Sequence, residues 1–284
     1  MTELRTGQLF AGRYSVDSKV GGGGFCSTYS AKDTRNGGQV ALKVLHEDKV
    51  RESPKVTDTF LSSMKLWMSL KHRNIVAITD TGICDDGVFA VMELLTGRTL
   101  HEQLKSEGAI EWGQLKPLMA ETCDALSVLH DTGLLHGDLK PAEIFVADSN
   151  EGAQVKLLDT PCARLVRADD THLAREGVVV GTIGYVSPEQ VLRAMGKADS
   201  FDHRIDLYAL GVVMYRSLTG RTPFESKNSL DALIMRTKTV PRPPGELSIG
   251  LPASVDALIV RVLSIDPAQR PQTAKELKEE ILRS

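Results

Sequence analysis

The sequence predicts an α+β fold in two lobes, a small antiparallel sheet with one main helix followed by a mainly helical half. Before Gly97 the apolar residues fall in short β-branched or alternating runs broken by Gly, Asn and Asp turns. After it most of the strong periodicities are helical. The 284 residues suffice for one large domain or two lobes, and 42% hydrophobic with 25% charged residues describes an ordinary globular chain.

The strand-like runs are "GRYSVDSKV", "STYSAKD", "QVALKVL", "NIVAITDTGICDD" and "GVFAVMELL". One helix interrupts them, "DTFLSSMKLWMSLKH", where Phe60, Leu61, Met64, Trp67, Met68 and Leu70 recur at near 3.6 spacing. In the second half "WGQLKPLMAETCDALSVLHDTG" is amphipathic and ends near Gly133. "DHRIDLYALGVVMYRSLTG" is apolar nearly all round, which predicts a buried helix, and "PASVDALIVRVLS" and "TAKELKEEILRS" close the chain. The expected organisation is an extension over 1–12, a first lobe over 13–92, a joint over 93–96 and a second lobe over 97–284.

A formal net charge of −3 with no long run of either sign offers nucleic acid no footprint. Cys26, Cys84, Cys123 and Cys162 are scattered without a Cys-x-x-Cys pair, and read as reduced core residues. No signal core and no run of 18 apolar residues occurs. The expectation is a cytoplasmic protein, or the cytosolic part of a longer membrane protein, with no membrane contact in these residues.

Four stretches carry chemistry. "VGGGGFCSTYSAKD" sets four glycines between strands, either a flexible hairpin or a loop whose amides approach a phosphate. "VALKV" places Lys43 in an apolar strand, pointing outward or meeting an anion. "HGDLKPAEIF" fixes a carboxylate and an ammonium, Asp138 and Lys140, on one loop, a pair able to orient a hydroxyl and steady a phosphoryl group, whereas His136 alone reads as a core histidine. "VKLLDTP" puts Asp159 at a strand end, as a metal carboxylate or a turn cap.

In this order the four stretches resemble the motif set of protein kinases, and the chain is similar to bacterial, eukaryotic-like Ser/Thr protein kinases from about Arg13 to about Leu282. "GTIGYVSPEQ" resembles the segment closing the activation loop, with Ser187-Pro188-Glu189 at its Ala-Pro-Glu end. "DHRIDLYALGVVMY" looks like the buried helix whose aspartate, Asp206, holds the catalytic loop, and "DPAQRPQTAKEL" supplies Arg270 to pair with Glu189.

The resemblance implies a bilobal protein-kinase fold that takes ATP with Mg2+ or Mn2+ and acts on a protein substrate or regulates a protein partner. Gly21 and Gly23 match the glycines over the phosphates, Lys43 the α- and β-phosphate lysine, and Asp159 a magnesium ligand. Asp138 matches the catalytic base and Lys140 the lysine beside the transferring phosphate. Ala41 and Phe145 would sandwich adenine, Met92 would guard the back of the pocket, and Glu93 to Leu95 would offer backbone groups at the joint.

The departures from the family pattern are specific. Ser63 stands where the first-lobe helix carries the lysine's glutamate, and Asp58 points about 140° away. Stranding a buried charge costs about 3–5 kcal/mol, so Lys43 should find another anion, Asp159 or Glu143. Glu143 replaces the asparagine of the second metal site and is itself a hard ligand. Thr160-Pro161 replaces Phe-Gly, and Trp67 either fills the space that Thr160 leaves empty or is an ordinary core residue. Gly137 replaces an arginine, so phosphorylation of Thr171 should meet no cation there. Cys26 and Thr28 replace the third glycine and a valine. Retention of Lys43, Asp138, Lys140 and Asp159 favours an active Ser/Thr kinase. Together the departures weigh toward a pseudokinase, or a very weak phosphotransferase, that regulates a partner.

Overall fold

The computed structural model describes residues 3–52, 54–149, 152–158, 183–198, 200–226 and 228–284. Two compact units emerge, Met1–Thr96 and Gly97–Ser284. Each contains its own sheet.

The first unit is a six-stranded antiparallel sheet in the order β1-β2-β3-β4-β6-β5. Its strands are β1 (Leu9–Phe10), β2 (Tyr14–Gly22), β3 (Cys26–Asp33), β4 (Gln39–Leu45), β5 (Ile78–Cys84) and β6 (Gly87–Glu93). Strand alternation sends Tyr14, Val16, Tyr29, Ala31, Leu42, Phe89 and Val91 into a core that also takes Phe10. Phe10 meets Phe89 edge-on, 5.4 Å between ring centres. Arg13 braces the strands with Nε and Nη2 on the two Asp33 carboxylate oxygens at 2.9 and 2.7 Å and Nη1 on Asp80 at 3.0 Å. Its guanidinium holds the Asp33 carboxyl down to about 2.

Two helices, α1 (Glu47–Glu52) and α2 (Pro54–Ser69), lie between β4 and β5. The 3.6-residue stripe of α2 buries Phe60, Ser63, Met64 and Trp67.

The second unit opens on a small sheet, β7 (Gly97–Thr99), β8 (Ile144–Ser149) and β9 (Gly152–Leu157). Gly97 is required there: with φ of 133°, a Cβ would lie 2.2 Å from the Val146 carbonyl. Around it are α3 (Leu100–Glu107), α4 (Trp112–Asp131), α5 (Pro188–Ala194), α6 (Arg204–Thr219), α7 (Ser229–Arg236), α8 (Ala253–Val262) and α9 (Ala274–Arg283). Thr99 and Glu102 form a capping box on α3. The buried α6 shows why its sequence lacks a polar face: all residues from Ile205 to Tyr215 are buried. Lys278 ties α9 to α4 through Asp124 at 2.7 Å. No helix among the described residues is long and apolar enough to cross a membrane.

Candidate active site

In the first unit one face of the sheet collects the residues expected to meet a nucleotide. Register places Gly21 opposite Thr28, Thr28 opposite Lys43, Ala41 opposite Met92 and Lys43 opposite Ala90, and directly paired residues share a face. The opposite face carries the aromatic core. Ala41 is buried, while Lys43 and Met92 are half-buried.

The glycines form a hairpin in which β2 continues through Gly22, and Gly23 N donates to Cys26 O at 2.9 Å. The sterically demanding glycine is Gly22, where a Cβ would come within 3.1 Å of Cys26 O and 3.3 Å of Ser27 Cα, whereas Gly21 and Gly23 face open space. Their exposed backbone suits an anion. Cys26 is buried and Thr28 half-buried.

At the end of β6, Glu93 turns its side chain to the backbone, Oε1 accepting Ala77 N at 2.8 Å, and both Glu93 and Leu95 are half-buried. On α2, Ser63 is 7% exposed among Phe60, Met64 and Trp67, and Asp58 is exposed to solvent. Trp67 is 1% exposed, in the core.

The second unit builds a loop around one buried carboxylate. Asp206, 1% exposed near the start of α6, accepts His136 N at 2.9 Å on Oδ2 and Gly137 N at 2.7 Å on Oδ1. His130 Nε2, from the last turn of α4, lies 2.9 Å from the same Oδ2. Burial pushes the Asp206 carboxyl up, yet the His130 hydrogen bond and neighbouring imidazoles outweigh it, so it sits below the usual carboxylate value. The His136 ring reaches Leu158 O at 3.1 Å through Nε2.

That anchored loop delivers Asp138 and Lys140. The Asp138 side chain is 1% exposed, and its Oδ2 accepts Lys140 Nζ at 2.8 Å. Glu143 ends a 3-10 turn, Pro141–Glu143, and its 8%-exposed side chain places Oε1 at 3.4 Å from Lys140 Nζ. One ammonium is therefore shared by two buried carboxylates. Phe145 follows on β8, half-buried. Gly137 has φ of 75°, the left-handed region in which an L side chain is strained, so the residue in the arginine position relieves backbone strain.

Glu189 and Arg270 form a two-bonded ion pair, 2.7 and 2.9 Å, with the Arg270 side chain fully buried. Arg270 spends its remaining donor capacity on the carbonyls of Ser264, Ile265 and Arg204. Asp159, Thr160, Pro161 and Thr171, with the metal, loop and phosphorylation roles expected of them, lie outside the described residues. Among the described residues no group of three His, Cys, Asp or Glu side chains is arranged to hold a metal ion.

Two units of this construction, with an aspartate and lysine on an Asp206-anchored loop, define a protein-kinase-like molecule. The protein kinase domain family model matches residues 14–282, and the chain belongs to that family. Serine/threonine-protein kinase PknB of Mycobacterium leprae is 33% identical over 275 residues, covering 95% of this chain and 43% of the relative. Serine/threonine-protein kinase pkn2 of Myxococcus xanthus is 35% identical over 271 residues, 94% of this chain and 32% of the relative. The chain thus spans less than half the length of these relatives. The PknI kinase domain of Mycobacterium tuberculosis has the same fold, with a TM-score of 0.75 at 22% identity over 99% of each chain.

Residues absent from the sequence reading also shape the site. Gln190 closes a capping box with Ser187 and reaches Gly137 O at 3.3 Å through Nε2; Ser187-Pro188-Glu189-Gln190 carries that box's Ser-x-x-Gln spacing. Arg236 is 1% exposed, and nothing in "LIMRTK" signals a buried cation.

Proposed function

We propose that the chain is a Ser/Thr protein kinase domain that transfers the γ-phosphate of ATP to a hydroxyl of a protein substrate. The observation carrying this reading is the assembled pair of Asp138 and Lys140, 2.8 Å apart on a loop pinned by Asp206. Asp138 accepts the proton of the incoming hydroxyl, and Lys140 neutralises charge on the phosphoryl group as it transfers. In the first unit the glycine hairpin, Lys43, Ala41 and Met92 lie on one sheet face suited to a nucleotide, with Glu93 and Leu95 offering backbone groups; in the second, Phe145 is the position that the family resemblance gives to adenine.

The carboxylate of Glu143 fits a hard divalent cation, Mg2+ or Mn2+, and Asp159 is its expected companion. Such a cation neutralises phosphate charge when bound. Lys43, with Ser63 in the glutamate position, depends on a different anion for its orientation.

A second reading rests on Glu143. Its Oε1 competes with Asp138 for Lys140 and adds negative charge where a triphosphate would approach, which suits a regulatory module with little or no turnover. Mass-detected phosphate transfer to the protein itself and to a basic probe protein, with either metal and alongside Asp138→Asn, separates the two. Transfer abolished by Asp138→Asn supports the kinase; transfer no greater than the variant's leaves the pseudokinase, and a pull-down for its partner follows.

A further inference from the structure

Among the described residues of the second unit two arginines are fully buried, and they are held in opposite ways. Arg270 has a carboxylate on two of its nitrogens and carbonyls around the rest. Arg236, at the last position of α7, has no carboxylate partner among the described residues. Its Nη1 donates to two backbone carbonyls, Ile183 O and Val186 O, the second at 3.3 Å. Its Nε is buried without a hydrogen-bond partner, and its guanidinium lies 6.0 Å from the centre of the Phe224 ring.

Burying a guanidinium without a counter-charge is costly, and burial pulls its pKa below the ordinary value. An apolar side chain would occupy the space without that cost. What the arginine adds is a rigid donor gripping two carbonyls three residues apart.

Those carbonyls belong to the wall beside the catalytic loop. Ile183–Tyr185 form a 3-10 turn that leads through Val186 to Ser187, the cap of α5. Tyr185 and Gln190 line one recess with Gly137 and Asp138, Gln190 bonds Gly137 O, and Arg216 Nη1 donates to the Tyr185 hydroxyl at 2.6 Å. Displacing residues 183–190 therefore moves the surface along which a hydroxyl would reach Asp138.

We propose that Arg236 is a positioning residue for the phosphoacceptor: by clamping the carbonyls of Ile183 and Val186 it sets the wall that orients a protein hydroxyl toward Asp138. This rests on the phosphotransfer reading. Arg236 acts through the 183–190 backbone and touches neither nucleotide nor acceptor.

Arg236→Lys keeps the charge but ends one bond short of Nη1 and lacks its planar rigidity, loosening the grip; Arg236→Met keeps most of the volume and loses both charge and donor. With a Ser/Thr peptide library as probe, both should raise the peptide KM about tenfold, while the ATP KM stays within about twofold of wild type. Hydrogen exchange read without ATP should show faster exchange at 183–190 and none at 253–262. A wild-type chain that transfers no phosphate removes the phosphotransfer reading, whereas Arg236 is still judged by the exchange. Unchanged exchange at 183–190 in a folded variant overturns the proposal, as does a folded, active variant with unaltered peptide KM. If neither variant folds, Arg236 is a core residue and the positioning role is wrong.

Discussion

Asp206→Asn changes one atom in the buried carboxylate around which the catalytic loop is built. The wild-type oxygens receive His136 N, Gly137 N and His130 Nε2. An amide has one oxygen. In its better orientation that oxygen keeps His136 N and His130, and the new NH2 faces the Gly137 N–H, donor against donor. Leaving that buried N–H without an acceptor costs about 1–3 kcal/mol, and changing the surviving bonds from charged to neutral costs about 1 kcal/mol each. The sum is roughly 3–5 kcal/mol. A unit of roughly 150–250 residues loses about 2–4 °C per kcal/mol, so melting should fall by about 6–20 °C.

The loss should depend on pH. The folded Asp206 carboxyl lies below its unfolded value of about 3.9, so its contribution is fully present above that value and disappears as pH falls through the folded pKa. Calorimetric melting of both proteins from pH 7 down to about 3 should show the gap closing only at the acid end. Transfer assayed at 15 °C, where both are folded, should drop with the misplaced Asp138. A variant melting within about 2 °C of wild type at neutral pH would refute the reasoning, because about 3 kcal/mol must shift it further.

Other expectations follow from single contacts. Glu143→Asn frees Lys140 of its second carboxylate and should raise transfer with Mg2+; unaltered rates with both metals would show that the 3.4 Å contact does not limit turnover. Glu189→Gln leaves Arg270 buried without its counter-charge and should cost about 3–5 kcal/mol in chemical denaturation, with a loss under about 1 kcal/mol contradicting it. Trp67→Ala empties a core position 1% exposed and should cost about 3–5 kcal/mol; an unchanged melting point would place the side chain outside the core. Asp33→Asn should destabilise the first unit above pH 4 and cease to matter as pH approaches about 2, where wild-type Asp33 protonates; a constant difference would contradict the Arg13 pairing.

The longer elements were legible because their periodicity is local. The run 39–45 is strand β4 to the residue, and α2 starts at Pro54, four residues before the helical segment that the sequence marks from Asp58. The small sheet of the second unit was harder, since β7 has three residues and β8 begins inside the stretch read as a catalytic loop. Asp138, Lys140 and Glu143 were visible as types at fixed spacing, but which carboxylate holds the lysine is a three-dimensional property. Arg236 was invisible for the same reason. Its helix looks amphipathic with a basic last turn, the usual solvated C-terminus, whereas the carbonyls it holds, Ile183 and Val186, lie some fifty residues earlier in the chain.

The departures that weighed toward a pseudokinase change meaning when each is placed. Gly137 occupies a left-handed backbone position and still donates its N–H to Asp206, so losing the arginine leaves the loop anchored and its backbone less strained. Ser63 lies on the buried stripe of α2 between Phe60 and Trp67, a small neutral side chain in an apolar setting. Glu143 is buried, yet Lys140 stands beside it as a counter-charge. Decay of an unused site would leave stranded charges and unsupported backbone. Gly137 and Glu143 are each accommodated locally, around an aspartate and lysine still in hydrogen-bond contact, and that supports the phosphotransfer reading over the pseudokinase.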